Sequence, residues 1–303
     1  MTSIADETVR KDMTREISHA EASSSPLTQR LSQVSKSAHS VSNALVAARL
    51  AVVCTDKLLY AKALAAFWHV HAALEASIAK NAHHEDLKAI ARLTKSLGRA
   101  AAFEADLQYL LGPEWKSQVA QRSPAVAAYV EHLNDISSSD PIRLVAHAYT
   151  QHLALLAGGQ RIRKFVASTV PGLQGQDGVR VFGFEEPVDP LKKEYKHAVD
   201  ALEGSLGKEG TQKVLEEHVR VFEMNNAIIS DFPVRTRDAL RAVQRILPPE
   251  LILTACATVF ALLMMWVSPK LVAAVQRWEG GTDAASSIDA DAIDAMHGRS
   301  SEL

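Results

Sequence analysis

Residues 144–164 read LVAHAYTQHLALLAGGQRIRK, and this stretch constrains the chain more than any other. It starts amphipathic and turns apolar on every side at Leu153, Ala154, Leu155 and Leu156. It then meets two adjacent glycines, Gly158 and Gly159. A glycine inside a helix costs about 1 kcal/mol relative to alanine. The pair therefore has three readings. Gly158 ends the helix, the pair permits a kink, or bare backbone comes within contact distance of something flat.

The chain has 303 residues, enough for one large domain or two small ones. Its formal net charge is −2, so no basic field supports nucleic-acid binding. The two cysteines, Cys54 and Cys256, lie far apart, which argues for a reducing compartment and against a disulfide framework or paired-cysteine metal site. Twelve histidines are many for this length. Residues 1–24 are polar, carry both charge signs and lack a signal-peptide core, so they read as a disordered segment.

Ser25-Pro26 opens a first helix, and apolar or small residues recur at Leu27, Leu31, Val34, Ala38, Val41 and Leu45. A second stripe holds Ser32, Ser35, Lys36, His39, Ser42 and Asn43. It is either a solvated polar face or the small-residue floor of a planar ligand, with His39 pointing up. A second helix is expected over 55–80 and a third over 84–111, stopped by Gly112-Pro113. Ser123-Pro124 starts a fourth, and Asp140-Pro141 caps the helix of 144–164. Residues 170–188, rich in glycine and proline, read as a loop with one short extended piece. A sixth helix from Asp189 puts Lys192, Tyr195 and Lys196 on one face, ordinarily a solvated arrangement. A seventh runs from Thr211 to near Leu247, broken around Pro233.

Residues 251–267 carry no charge and would span about 26 Å as a helix. Arg235, Arg237, Arg241 and Arg245 precede them, while only Lys270 and Arg277 follow closely. By the positive-inside rule this predicts a C-terminal anchor with the main domain in the cytosol. The reading divides the chain into a disordered segment (1–24), a helical domain (25–247), a transmembrane helix (250–275) and a disordered acidic tail (276–303).

Several blocks, in order, resemble the heme oxygenase family of the membrane-anchored, animal and fungal type: LSQVSKSAHSVSN, FWHVHAALEASI, FEADLQYLLGPEW and LVAHAYTQHLALLAGGQ. The resemblance implies an all-α fold with heme sandwiched between a proximal and a distal helix. His39 then takes the place of the histidine that binds the heme iron. Gly158 and Gly159 pass close over the heme. Lys36, Lys192 and Lys196, with Tyr149, line its edge, where cations would pair the propionates. Heme is then both cofactor and substrate, cleaved to biliverdin, carbon monoxide and ferrous iron. Electrons come from NADPH through a flavoprotein such as an NADPH–cytochrome reductase. The location implied is the endoplasmic reticulum membrane, tail-anchored.

The family's distal helix normally reads Leu-Gly-Asp-Leu-Ser-Gly-Gly-Gln, where this chain has Leu153-Ala154-Leu155-Leu156-Ala157-Gly158-Gly159-Gln160. Leu155 thus stands in the place of the aspartate that holds a distal water network, and leucine makes no hydrogen bond. Ser32 and Asn43 replace a lysine and a glutamate-like residue on the proximal side. The alternative is therefore a heme-binding sensor or carrier that does not open the ring. Gln151 and His152, four and three positions before Leu155, are the candidates to anchor water in its stead.

Overall fold

The computed structural model describes residues 17, 25–38, 43–246 and 250–251. Among the described residues there is no strand, and the secondary structure is helical throughout. The chain divides into two compact units, residues 1–245 and 246–303, and the first carries nearly all that follows.

The helices are α1 (Leu27–Ala38), α2 (Asn43–Val53), α3 (Lys57–Lys80), α4 (Glu85–Leu97), α5 (Ala100–Leu111), the short α6 (Trp115–Gln118), α7 (Pro124–Ser139) and α8 (Leu144–Leu153). A π-helical turn, Ala154–Gly158, joins α8 to α9 (Gly159–Thr169). Then come α10 (Val188–Asp200), α11 (Glu203–Ser230) and α12 (Thr236–Ile246).

Local chemistry sets the ends of these elements. The Asp56 side chain accepts from the backbone N–H groups of Leu58 and Leu59, both at 3.0 Å, and so caps α3. At the far end Asn81 donates to the carbonyls of Ser77 and Ser137, which stitches α3 to the end of α7. Ser123 and Pro124 start α7 as their types require. Two hydrophobic clusters fill the interior. The larger includes Leu31, Leu74, Leu133, Val145, Val199 and Val221. The smaller, around Tyr60, Phe103, Leu107, Trp115 and Phe182, lies against α3, α5 and α9.

Four expectations need correction. The single helix over 84–111 is two, parted at Gly98 and Arg99. Glu75 of α3 supplies the reason, since its carboxylate accepts from the backbone N–H groups of Arg99 (2.6 Å) and Ala100 (2.9 Å), giving α5 its own start. Asp140-Pro141 opens a 3-10 turn, Pro141–Arg143, before α8 begins at Leu144. The extended piece in 170–188 is instead a 3-10 turn, Arg180–Phe182. Its backbone donors bond Asp106 of α5 rather than another strand. The helix expected from Thr211 is extended at its start by a short helical piece from Glu203, joined to it across a kink at Gly207, whose φ of 60° is non-helical.

The predicted membrane segment, 251–267, lies outside the described residues except for Leu251. Among those described, no helix is long and apolar enough to cross a membrane. The N-terminal segment is likewise undescribed except for Ile17, which packs against the larger cluster.

Candidate functional site

Two tethers fix α1. The Thr28 backbone N–H donates to Asp200 Oδ1 at 2.7 Å and its hydroxyl to Oδ2 at 3.2 Å. Arg30 pairs with Glu203 at 2.8 Å. Tyr149 of α8 donates its hydroxyl to the Thr28 carbonyl at 3.2 Å. The element expected below a planar ligand is thereby locked to α8 above it and to the junction of α10 and α11 beside it. Tyr149 is buried, and burial pushes its pKa up to about 12, so it remains a neutral donor. His39 lies outside the described residues, as do the side chains of Lys36 and Asn43. Ser32 is exposed.

The glycine pair does not end the helix. It sits at the exit of the π-helical turn, and such turns occur mostly as single insertions within α-helices, frequently at functional sites. The two glycines differ. A Cβ on Gly159 would come within 3.3 Å of the Phe182 ring, so this glycine admits the 3-10 turn behind it. Gln160 secures that turn by donating to the Phe182 carbonyl at 2.7 Å. A Cβ on Gly158 would meet nothing within 4 Å among the described residues. One face of the backbone is therefore packed and the other opens to space. Leu155 is half-buried against the Phe103 cluster.

The π turn packs against α10. There Tyr195 is fully buried, while Lys192 and Lys196 flank it half-buried. Neither ammonium has a hydrogen bond or ion pair among the described residues.

Gln151 belongs to a different constellation. Its amide nitrogen donates to Tyr129 Oη at 3.1 Å and to Asn225 Oδ1 at 2.9 Å, which uses both hydrogens. Tyr129 donates to His147 Nδ1 at 3.0 Å, and His147 Nε2–H donates to Glu217 Oε1 at 3.0 Å. His132 reaches the same oxygen at 2.5 Å and Arg143 the other at 2.9 Å. His132, His147 and Glu217 are metal-ligand types with ligand atoms within 4.8 Å of one another, but those atoms already bond to each other. Burial alone would raise the pKa of Glu217. The hydrogen bonds from His132, His147 and Arg143 outweigh it and hold the carboxyl well below its usual range.

His152 is the contrast. It is buried, and neither ring nitrogen has a partner among the described residues. Its ring lies edge-on to Tyr195, centroids 5.4 Å apart, and the Tyr195 hydroxyl is also without a partner among the described residues.

The heme oxygenase family model matches residues 25–231, most of the chain. The chain belongs to the heme oxygenase family. It is 33% identical over 172 residues to heme oxygenase 1 of Nostoc, covering 56% of this chain and 70% of that one. Its fold matches heme oxygenase 2 of Chlamydomonas reinhardtii, solved without heme, with TM-score 0.66 and 37% identity over 70% of this chain and all of that one. It also matches Synechocystis heme oxygenase-1, solved with heme, with TM-score 0.64 and 25% identity over 73% of this chain and 96% of that one. Relatives come from cyanobacteria, algae and animals, so membership holds for the family as a whole rather than for its animal and fungal type. The all-helical heme oxygenase fold and its heme-degrading class of activity follow.

The heme oxygenase motifs gave no hint of Glu217 or Phe182. Glu217 had one signal, since it sits between Val214 and Val221 at helical spacing, a charge inside a buried stripe. Phe182 had none, because its contact with Gly159 crosses 23 residues of chain.

Proposed function

We propose that this chain holds heme between α1 and the π turn, with the iron on His39, and cleaves it to biliverdin, carbon monoxide and ferrous iron. The observation that carries the reading is the open side of Gly158 in a π turn that packs against α10, where two half-buried lysines have no partner among the described residues. These residues fit the group. Bare backbone admits a flat macrocycle, and Lys192 and Lys196 supply cations for carboxylates at its edge. Bound heme would supply the iron that engages oxygen and the ring that is opened. The chain's own part is to orient it. The tethers from Asp200 and Tyr149 hold α1 in place, and Phe182 seats the π turn from behind.

Two further elements of the reading concern supply and location. Electrons would come from NADPH through a flavoprotein reductase. Residues 251–267 would anchor the chain in the endoplasmic reticulum membrane, with Arg235, Arg237, Arg241 and Arg245 on the cytosolic side. Retention of the full chain in the membrane pellet after an alkaline wash tests the anchor, and release into the supernatant would remove it.

The test of function uses the full chain in detergent with hemin. A Soret band is expected, followed by biliverdin and carbon monoxide once reductant and oxygen are added. The His39→Ala variant should lose the histidine-ligated spectrum. A stable band with no products would leave only binding, and no band would sink the reading.

Gly158→Ala separates folding from binding. Alanine at this helical glycine should stabilise the heme-free protein by about 0.5–1 kcal/mol. The methyl group projects into the open face and should weaken heme binding about tenfold or more, by crowding of the order of 1–3 kcal/mol. Calorimetry and hemin titration read the two effects. A variant that gains stability and binds heme unchanged would move the ligand away from Gly158.

A further inference from the structure

Three of the seven large apolar side chains that stand exposed among the described residues lie in one helix of 11 residues, α12. Leu240 is 62% exposed, Val243 45% and Ile246 42%. They recur every third residue and so share one flank of the helix. Arg237, Arg241 and Arg245 recur every fourth and form the neighbouring flank, all of them exposed. The remaining side packs, with Ala242 buried and Asp238 and Ala239 half-buried. Arg245 ties the end of the helix down by donating to the Thr55 carbonyl. Asp238 closes its start by accepting from the Arg235 backbone N–H at 2.9 Å. The helix is therefore held in place while two outer flanks, one apolar and one cationic, face solvent.

Single exposed leucines are ordinary, but a row of apolar side chains rimmed by cations marks a binding surface. A second copy of the chain fits it poorly. Pairing this face with itself offers the arginines no free acid, since Asp238 already accepts from Arg235 and lies 3.8 Å from Arg237. Like charges brought together without acids between them repel. An anionic lipid surface satisfies both flanks at once. Amphipathic helices lie along such a surface with their apolar side chains at the boundary of headgroups and acyl chains. Arginine suits the rim of that arrangement, because its stem lies along apolar surroundings while its planar head bonds phosphate oxygens in pairs. The sequence adds continuity, for after Pro248-Pro249 the uncharged run 251–267 begins at Leu251.

We propose that α12 is a membrane-surface helix that binds anionic phospholipid headgroups, with Leu240, Val243 and Ile246 dipping below them and Arg237 and Arg241 on their phosphates. This deepens the reading of residues 251–267 as an anchor and rests on it for bringing a membrane near. Arg245, committed to Thr55, holds the helix to the domain.

The test uses the full chain in vesicles of phosphatidylcholine, with and without phosphatidylserine. A polarity-sensitive dye is attached at Leu240→Cys in a Cys256→Ser background. Cys54 does not take the dye, since it is buried and burial pushes its thiol up to about 12. With phosphatidylserine the dye should shift to the blue and be quenched by lipids that carry a nitroxide at the headgroup boundary. The same dye at Glu85→Cys, beyond the opposite end of α3 from Thr55, should do neither. Arg241→Gln should weaken the quenched state about fivefold, the worth of one cation at an anionic surface, and added salt should weaken it further. All these positions are exposed, so the variants should melt with the unaltered chain. A dye that stays in water while the chain is in the vesicles overturns the proposal. So does a blue shift without lipid quenching, which would put another protein surface on this face. If an alkaline wash strips the chain from its vesicles, the anchor fails alone, and flotation at neutral pH decides α12. There the chain should rise with phosphatidylserine vesicles, and Leu240→Ser with Val243→Ser should abolish the rise. Absence of flotation in the unaltered chain would overturn the proposal as well.

Discussion

Replacing Glu217 with alanine is expected to lower the melting temperature by roughly 10 °C. The carboxylate is buried and fully committed, accepting from Arg143, His132 and His147. Removing one partner of a buried ionic network costs about 3–5 kcal/mol, because the remaining groups keep their desolvation without the compensation. For a domain of this size each kcal/mol is worth about 2–4 °C. Arg143 is partly exposed and can turn to water, which limits its share. His147 has no such exit, since its side chain is fully buried and its Nε2–H would point at a void. The damage should spread, because His147 holds Tyr129 and Tyr129 holds Gln151. Glu217→Gln, which keeps the shape and an acceptor, should cost about half as much. Scanning calorimetry on the full chain checks both. A loss below about 1 kcal/mol for alanine would show that solvent reaches this network.

Acidification from pH 7.5 to 5.5 should weaken the fold well before the carboxylates titrate normally. His69, His71, His147 and His152 are all held below their ordinary value of 6.5, in each case chiefly by burial. The sign follows from proton counting. Below pH 6.5 the unfolded chain takes up protons at these positions while the folded chain does not, so stability is full above 6.5 and drains as pH falls toward the folded values. Each histidine contributes at most about 1.4 kcal/mol per pH unit in that window. Two acids work the other way. Burial raises Glu75, and raises Asp106 to about 6, so as pH falls the folded state takes protons at these groups first and gains stability. From about pH 6 downward Asp106 opposes the four histidines, and Glu75 acts in the same sense as Asp106. Glu217 adds its share only under its ordinary 4.5, as the native carboxylate resists protonation. Urea midpoints at pH 7.5, 6.5 and 5.5 should hold steady over the first step and drop over the second. His152→Phe should flatten the drop, and a flat wild-type profile would refute the assignment.

The features readable from the amino-acid string were those with a local cause. The stripe of Leu27, Leu31 and Val34 is wholly buried as its spacing required, and Ser123-Pro124 begins a helix by its own stereochemistry. The glycine pair announced an exception within residues 144–164, and the π turn is that exception. Features with a distant cause were not readable. Gly98 divides a helix because a carboxylate at Glu75, more than twenty residues earlier, waits to cap the next one. Val181 and Phe182 have the side chains of a strand, yet their segment turns because Asp106 collects its backbone donors. Helical spacing placed Tyr195 among lysines, and only packing shows that the tyrosine faces in while Lys192 and Lys196 flank it. Whether a buried histidine finds partners among the described residues, as His147 does, or finds none there, as His152 does, depends on atoms from three helices and leaves no trace in one.

The segment between α9 and α10 has two unlike halves. Residues 171–177 are largely exposed and touch the body mainly where Tyr109 donates to Gly172. Residues 178–183 are riveted by Tyr60 at Gly178, Asp106 at Arg180 and Val181, Gln160 at Phe182 and Arg99 at Gly183. The outer half is thus a splice point, where new chain ends or an inserted domain would hang free. The inner half is a wedge driven under the π turn through Phe182. A chain re-cut at 174–176 would keep that wedge with its own rivets, so the architecture separates the place that tolerates surgery from the place that sets the gap above Gly158.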